Sequence, residues 1–411
     1  MDFQLALKRF KNNQILTISG SKSETNRLLL LQKLYPQLQI ENPSGSDDSL
    51  TMKECFENTT EIKDVHHAGT AMRFLLSYFA LKADKEVILT GSDRMKQRPV
   101  RILVDALRQL DAEISYIENE GYPPLKIKGK NLYKNNVEIE ANVSSQYISS
   151  LMLIAPVLPN GLNICLKGTV TSAPYITMTI DMLRSLGIPV TFENQKITIQ
   201  PVTQLKNNHF TVESDWSSAS YYYSIIALAP VGSRVSLKNF KKNSLQGDAV
   251  LVEIFEDFGV RTFFEQSTII LEKVANCQQT TISYQLNNTP DIAQTLVVTC
   301  LGLGIDCKFT GLHTLKIKET DRLQALKNEL EKFGALVTVT DDSIELKTKA
   351  LFTQNPVEIN TYQDHRMAMA FAPLVMKQPV IIKNAEVVSK SYPSFWKDLE
   401  TLGITTTQIW S

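Results

Sequence analysis

Several absences narrow what this sequence encodes. Its 411 residues contain five cysteines (Cys55, Cys165, Cys277, Cys300 and Cys307), an odd and scattered set with no CxxC pair. That argues against a disulfide framework and for free, buried thiols in a reducing compartment. The histidines at 66, 67, 209, 313 and 365 form no HExxH or other ligand spacing, so no metal site is expected. There is no GxxxxGKS phosphate loop, no GxGxxG after a strand and no GxSxG elbow. The longest apolar runs, LMLIAPVLP and TLVVTCLGLGI, fall short of the roughly 20 residues that span a bilayer. The first residues, MDFQLALKRFKNN, lack the apolar stretch of a secretory leader, and a cytoplasmic protein is expected. Charge of either sign is also not in excess. Lys plus Arg and Asp plus Glu both number 43, which argues against a general nucleic-acid binder or a polybasic membrane-surface protein.

What is present is a repeat. Hydrophobic residues make up 43% and charged residues 21%, ordinary for a soluble chain with a sizeable core in two or three domains. A helix-like segment that ends in a bulky residue, usually a glycine, and turns into a strand recurs as LVDALRQLDAEI, IDMLRSLGIPV, LVEIFEDFGVRT, LKNELEKFGALVTV and WKDLETLGITT. Its terminators Asp111, Gly187, Gly259, Gly334 and Gly403 are 76, 72, 75 and 69 residues apart. Glycine just past the last apolar position is a helix stop. A second helix, polar at its start and apolar in its body, alternates with the first. Ser23, Thr70, Ser145, Ser218, Asp291 and Arg366 mark its starts, at intervals of 47, 75, 73, 73 and 75. Strand-like runs such as KEVILTG, LNICLKG, SRVSLKN and PVIIKNA follow several copies. Six helix–strand–helix–strands units are therefore expected, the first one trimmed. Grouped by threes they make two similar α/β domains, with seams near Ser19–Ser21 and Glu213–Asp215. Residues 1–18 and 214–411 are assigned to one domain and 19–213 to the other, the strand within residues 3–10 packing with the C-terminal half.

The polar helix starts draw attention because a helix N-terminus carries unpaired N–H groups and the positive end of the helix dipole. Ser or Thr there caps the helix in the plain reading. Several copies also carry a cation close by: Lys22 and Arg27 at the first, Arg73 after Gly69–Thr70, and Arg366 at the last. In TYQDHRMAMAFAPL, Asp364 reads as a helix cap and Arg366 as a clamp for a carboxylate or phosphate, while His365 reads equally well as a satisfied structural histidine. In KIKETDRL, Lys318 and Arg322 share a helix face if the helix has begun, with Glu319 beside them. Arg98 precedes a proline, Lys390 ends a strand-like run, and Asp291 reads as an N-cap of an apolar helix.

Together these segments resemble the 5-enolpyruvylshikimate-3-phosphate synthase family. SGSKSETNR, AGTAMR, RMKQRPV, SSQYISSL, SAPYIT, SDWSSASY, SLQGD, PDIAQT, KIKETDR, DHRMAM and SKSYPSF occur in the family's order over residues 19 to 395. The resemblance implies two similar domains, each of three βαβαββ units in an inside-out α/β barrel, with the active site in the interdomain cleft. It implies transfer of the enolpyruvyl group of phosphoenolpyruvate to the 5-hydroxyl of shikimate 3-phosphate, with no metal or other cofactor, by a monomer. Carried over by position, shikimate 3-phosphate would meet Lys22, Ser23, Arg27, Ser144, Ser145, Gln146, Ser172, Tyr175, Asp291 and Lys318. Phosphoenolpyruvate would meet Lys22, Gly69, Arg98, Gln146, Arg322, Arg366 and Lys390. Asp291 would accept the proton of the 5-hydroxyl, Glu319 would carry the proton at C3, and Lys22 would assist the leaving phosphate.

The chain departs from the family pattern at His67, where an asparagine is usual, at Phe74, where many members have proline, and at Thr314, where an asparagine is usual. Two rival readings remain. One is the sister enolpyruvyl transferase that acts on UDP-N-acetylglucosamine, whose members carry a catalytic cysteine in the first half; no cysteine lies between Cys55 and Cys165 here. The other is a non-catalytic relative that binds phosphorylated ligands, which would have no use for the proton-transfer carboxylates.

Overall fold

The computed structural model describes residues 1–83, 85–142, 144–349 and 352–409. The chain divides into two compact units, one of residues 20–212 and one of residues 1–19 with 213–411. Among the described residues there are five four-stranded sheets and one two-stranded sheet.

The local rules visible in the sequence produce the same motif repeatedly. In the unit 213–411, strand Thr281–Gln285 leads into helix Ala293–Leu303 and strand Asp306–Thr310. Helix Arg322–Glu331 and the hairpin Leu336–Val339/Ile344–Lys347 follow. The first two strands pair in parallel and the others antiparallel, a βαβαββ unit. The hairpin strands alternate, with Val337, Ile344 and Leu346 buried and intervening residues facing water. Such alternation is expected of a sheet with one covered face. The stops between outer helix and strand work as the glycines suggested. Asp111, Gly187, Gly259, Gly334 and Gly403 all have positive φ, between 70° and 86°. Asp111 shows that a short polar side chain can hold this left-handed position as well.

The second class of helix is the inner one. Gly69–Ala80 buries every residue except Thr70, and Trp216–Leu228 every residue except Ser217. A helix apolar on all sides belongs inside a core. Within each unit these helices pack against one another and the sheets lie outside them.

Two repeats are completed by distant parts of the chain. Strand Asp2–Leu7 lies between Val380–Ile382 and Ile404–Ile409, antiparallel to both, and so completes the last sheet. Strand Gln14–Thr17 pairs in parallel with Arg234–Lys238 and supplies the first strand of the repeat whose inner helix begins at Trp216. The trimmed first repeat is visible too: Gln39–Glu41 pairs only with His209–Thr211 among the described residues.

Candidate active site

In the unit that contains residues 213–411, the charged cluster is built around Arg322, the first residue of helix Arg322–Glu331. Asp321 caps that helix by accepting from the backbone N–H of Gln324, which presents Arg322 inward. The guanidinium is buried, and each face of its fork meets an acid. Nε donates to Asp364 Oδ2 at 2.7 Å, Nη1 to Asp291 Oδ1 at 2.9 Å and Nη2 to Glu319 Oε2 at 2.8 Å. Burial alone would favour the neutral form, but Asp364, Glu319 and Asp291 outweigh it and hold the guanidinium more firmly charged than usual.

Asp291 is the second centre. Besides Arg322 it faces Lys318 Nζ at 3.6 Å and Arg366 Nη2 at 3.3 Å. Burial would raise its carboxyl; the charges of Arg366, Lys318 and Arg322 prevail and hold it well below the usual carboxylate range. Lys318 is itself shifted down by burial, partly offset by Asp291. Arg366 also donates to the Asp291 carbonyl at 3.1 Å and to Ser217 Oγ at 3.3 Å. Ser217 in turn donates to Asp248, a buried carboxyl pushed up to about 6 by burial and by the nearby Asp291. Asp364 caps the helix His365–Phe371 by accepting from the Arg366 N–H at 2.8 Å, and buried His365 approaches it at 3.8 Å. Lys390 Nζ donates to the carbonyl of Gln363 at 2.6 Å.

Three expectations are corrected here. Lys318 and Arg322 do not share a helix face, because the helix begins only at Arg322 and Lys318 has extended backbone, φ −81° and ψ −152°. They meet at Asp291 through the preceding turn instead. Asp291 is not an N-cap: it lies in the short 3-10 turn Pro290–Ile292, and its side chain is spent on cations. Lys390 ends a 3-10 turn, Ala385–Lys390, rather than a strand.

The unit 20–212 carries the other candidates. Lys22 opens helix Lys22–Leu34, with Ser21 as its cap, and its Nζ lies 3.3 Å from Asp48. Arg27, one turn on, is buried and held by neutral oxygens. Nε donates to Thr179 Oγ1 at 2.7 Å, Nη1 to the Ser23 carbonyl at 2.8 Å and Nη2 to Ser149 Oγ at 3.0 Å. Its guanidinium lies over the rings of Phe74 and Tyr175, at 5.6 and 5.9 Å. Burial brings it down to about 10, in spite of the tempering charges of Tyr175 and Glu24. Ser144 caps helix Ser145–Ile154 by accepting from the Gln146 N–H, and Gln146 Nε2 donates to Thr70 Oγ1 at 3.2 Å. Ser145 is buried in that first turn. Ser172 stands before helix Ala173–Ser185 in a left-handed conformation, φ 53°, without a side-chain cap bond.

Gly69 and Arg98 meet most closely. A β-carbon on Gly69 would lie 2.5 Å from Arg98 Nη1 and 2.9 Å from Nη2. The guanidinium therefore rests against the first residue of helix Gly69–Ala80, whose N-terminus has no side-chain cap. Arg98 Nε is buried and makes no hydrogen bond. A cation beside uncapped helix amides is an anion site in waiting. Sequence reasoning passed over Asp48, Asp248 and Ser217 as individuals. Asp248 lies within the segment SLQGD, and Ser217 within SDWSSASY; Asp48 has no signal beyond the acidic start of its helix. Of the departures, Phe74 is the buried ring beneath Arg27, and Thr314 is buried with its hydroxyl unbonded.

By its similarity to known proteins, this chain of repeated βαβαββ units with a carboxylate–cation cluster is a transferase of the enolpyruvyl type. A sequence profile described as EPSP synthase (3-phosphoshikimate 1-carboxyvinyltransferase) matches residues 55–399, and the chain belongs to that family. A 3-phosphoshikimate 1-carboxyvinyltransferase of Bacteroides fragilis is 42% identical over 394 residues, covering 94% of this chain and 95% of the relative. One from Haemophilus influenzae is 34% identical over 419 residues, covering 94% and 96%. The fold is similar to that of an EPSP synthase from Acinetobacter baumannii, with a TM-score of 0.78 at 21% identity over 99% of this chain and 100% of that one.

Proposed function

We propose that this chain transfers the enolpyruvyl group of phosphoenolpyruvate to the 5-hydroxyl of shikimate 3-phosphate, releasing inorganic phosphate. The observation that carries the reading is Asp291, a partly buried carboxylate gripped by Lys318, Arg322 and Arg366 with Glu319 on the same guanidinium. Phosphoenolpyruvate would take Lys22, Gly69, Arg98, Gln146, Arg322, Arg366 and Lys390. Shikimate 3-phosphate would take Lys22, Ser23, Arg27, Ser144, Ser145, Gln146, Ser172, Tyr175, Asp291 and Lys318. No metal or cofactor enters the scheme.

The 5-hydroxyl oxygen attacks C2 of phosphoenolpyruvate as Asp291 takes its proton, and C3 gains a proton from Glu319. The tetrahedral adduct then collapses: C3 returns its proton to Glu319, the C–O bond to phosphate breaks with Lys22 beside the leaving group, and the phosphate takes up the proton that Asp291 removed. Asp291, held so low, is a feeble base while its cations are turned on it alone. Two polyanionic substrates would draw Arg366 and Lys318 away and raise its proton affinity towards working pH. Substrate binding would thus switch on the base. The same reading makes the protein a cytoplasmic monomer, which light scattering and fractionation would check.

The deciding assay is phosphate release from phosphoenolpyruvate with either shikimate 3-phosphate or UDP-N-acetylglucosamine. Release with the first alone is expected; release with the second alone, or with neither, overturns the reading. Asp291→Asn is expected to bind shikimate 3-phosphate and lose about 10²–10⁴-fold in kcat, the range of one acid–base group. Calorimetry and the release assay check the two halves of that statement, and normal turnover would remove Asp291 from its role.

A further inference from the structure

Glu329 is a buried carboxylate with no part in the reaction just described. It lies two turns beyond Arg322 on helix Arg322–Glu331, and its side chain is fully buried. Oε2 accepts from the backbone N–H of Asn360 at 2.9 Å and from Lys332 Nζ at 2.6 Å. Oε1 accepts from the Tyr362 hydroxyl at 2.6 Å. Asn360 and Tyr362 belong to the turn between strand Val357–Ile359 and helix His365–Phe371.

That turn is unusual. Tyr362 and Gln363 are consecutive residues in the left-handed region, with φ 54° and 57°. Non-glycine residues persist there only when their surroundings hold them. The holding groups come from one helix. At its start Arg322 binds Asp364, and two turns later Glu329 binds Asn360 and Tyr362. The clamped turn supplies two things to the charged cluster: the Gln363 carbonyl that receives Lys390, and the Asp364 carboxylate that receives Arg322 and caps the helix bearing Arg366.

We infer that Glu329 is a positioning residue for enolpyruvyl transfer, clamping the 360–364 turn so that Lys390 and Arg366 stand ready for phosphoenolpyruvate. The inference rests on the reaction proposed above. It predicts a substrate-specific defect, because neither Lys390 nor Arg366 is assigned to shikimate 3-phosphate.

The test compares Glu329→Gln, Tyr362→Phe and the double variant with the wild-type chain in the phosphate-release assay, varying each substrate in turn. Glu329→Gln keeps the shape and loses the charge; Tyr362→Phe removes only the hydroxyl. The KM for phosphoenolpyruvate is expected to rise about tenfold in each, the scale of one lost bond to a charged group. The KM for shikimate 3-phosphate should stay within about twofold, and the double variant should fall well short of the product of the two single effects, since the Glu329–Tyr362 bond is shared by both changes. Unchanged KM for phosphoenolpyruvate in Tyr362→Phe overturns the inference. So does an equal rise for both substrates, which marks a merely structural role. If Glu329→Gln fails to fold, Tyr362→Phe decides alone. A wild-type chain without turnover would instead sink the reaction.

Discussion

Asp248, buried, and Asp291, partly buried, are acids of one cluster whose carboxyls are shifted in opposite senses. Asp291 has three cations within 3.6 Å, so its charge stabilises the fold. A carboxyl depressed in the folded state contributes stability above the ordinary value of 3.8 that is lost as pH falls. Asp248 has Ser217 and a more remote Arg366, which do not offset its burial. Its folded state keeps the proton up to about 6, so its contribution is greatest at low pH and declines as pH rises from 3.8 to about 6. Denaturant unfolding of Asp248→Asn against the wild-type chain is expected to show the variant gaining relative stability across that window and levelling off above it. The amplitude would be at most about 3 kcal/mol, at about 1.4 kcal/mol for each pH unit the window spans. A pH-independent difference would mean that Asp248 ionises normally.

At the scale of elements, the helix starts differ in how they are finished. Ser21, Ser144, Asp215 and Asp364 cap theirs with side-chain oxygens. Gly69 leaves its helix mouth uncapped with Arg98 against it. Substituting Gly69→Ala keeps a good helix former but drives a methyl into the guanidinium, which must swing off the amides. The expected result is a rise of about tenfold or more in KM for phosphoenolpyruvate with little change in stability, measured by phosphate release and thermal melting. An unchanged KM would show that Arg98 does not need that seat. The capped starts behave differently: Ser144→Ala should cost about 1 kcal/mol of stability, read from denaturant unfolding. Helix existence and stops are legible in the sequence because period, glycine and caps are local. The places of Lys318, Asp291 and Lys390 within their turns are not, because a polar residue near a helix start can cap it or ignore it, and local spacing does not distinguish the two.

For the whole molecule, the repeat length reappears as contact. Ser77 and Ser150, 73 residues apart, bond hydroxyl to hydroxyl at 2.6 Å. Ser220 and Thr295, and Ser224 and Thr299, are each 75 apart and bond at 2.9 and 2.8 Å. Positions within two residues of equivalence in successive repeats thus meet where inner helices pack within a unit. The Arg366–Asp291 pair has the same spacing of 75. The last sheet depends on the chain's first strand, which separates Val380–Ile382 from Ile404–Ile409. Deleting residues 1–7 removes that strand and the buried Leu5, leaving Val380–Ile382 unpaired on one side and Ile404–Ile409 without its strand partner. A fall in Tm of about 10 °C or more, or loss of soluble protein, is expected by calorimetry. A Tm within about 2 °C of the full chain would show the sheet to be dispensable.

The sequence by itself determined the periodic plan. Apolar periodicity selects inner and outer helices, small polar starts and glycine stops delimit them, and the motif order carries the family and its chemistry. These are decided by neighbours a few residues apart along the chain. Only the tertiary structure decided which charges hold which. Arg322 is bound by Asp364 across 42 residues and by Asp291 across 31, and Arg27 is held by Thr179 across 152. A buried ion needs a partner within a few ångströms, and that distance is set by how whole helices and turns pack, not by spacing in the chain.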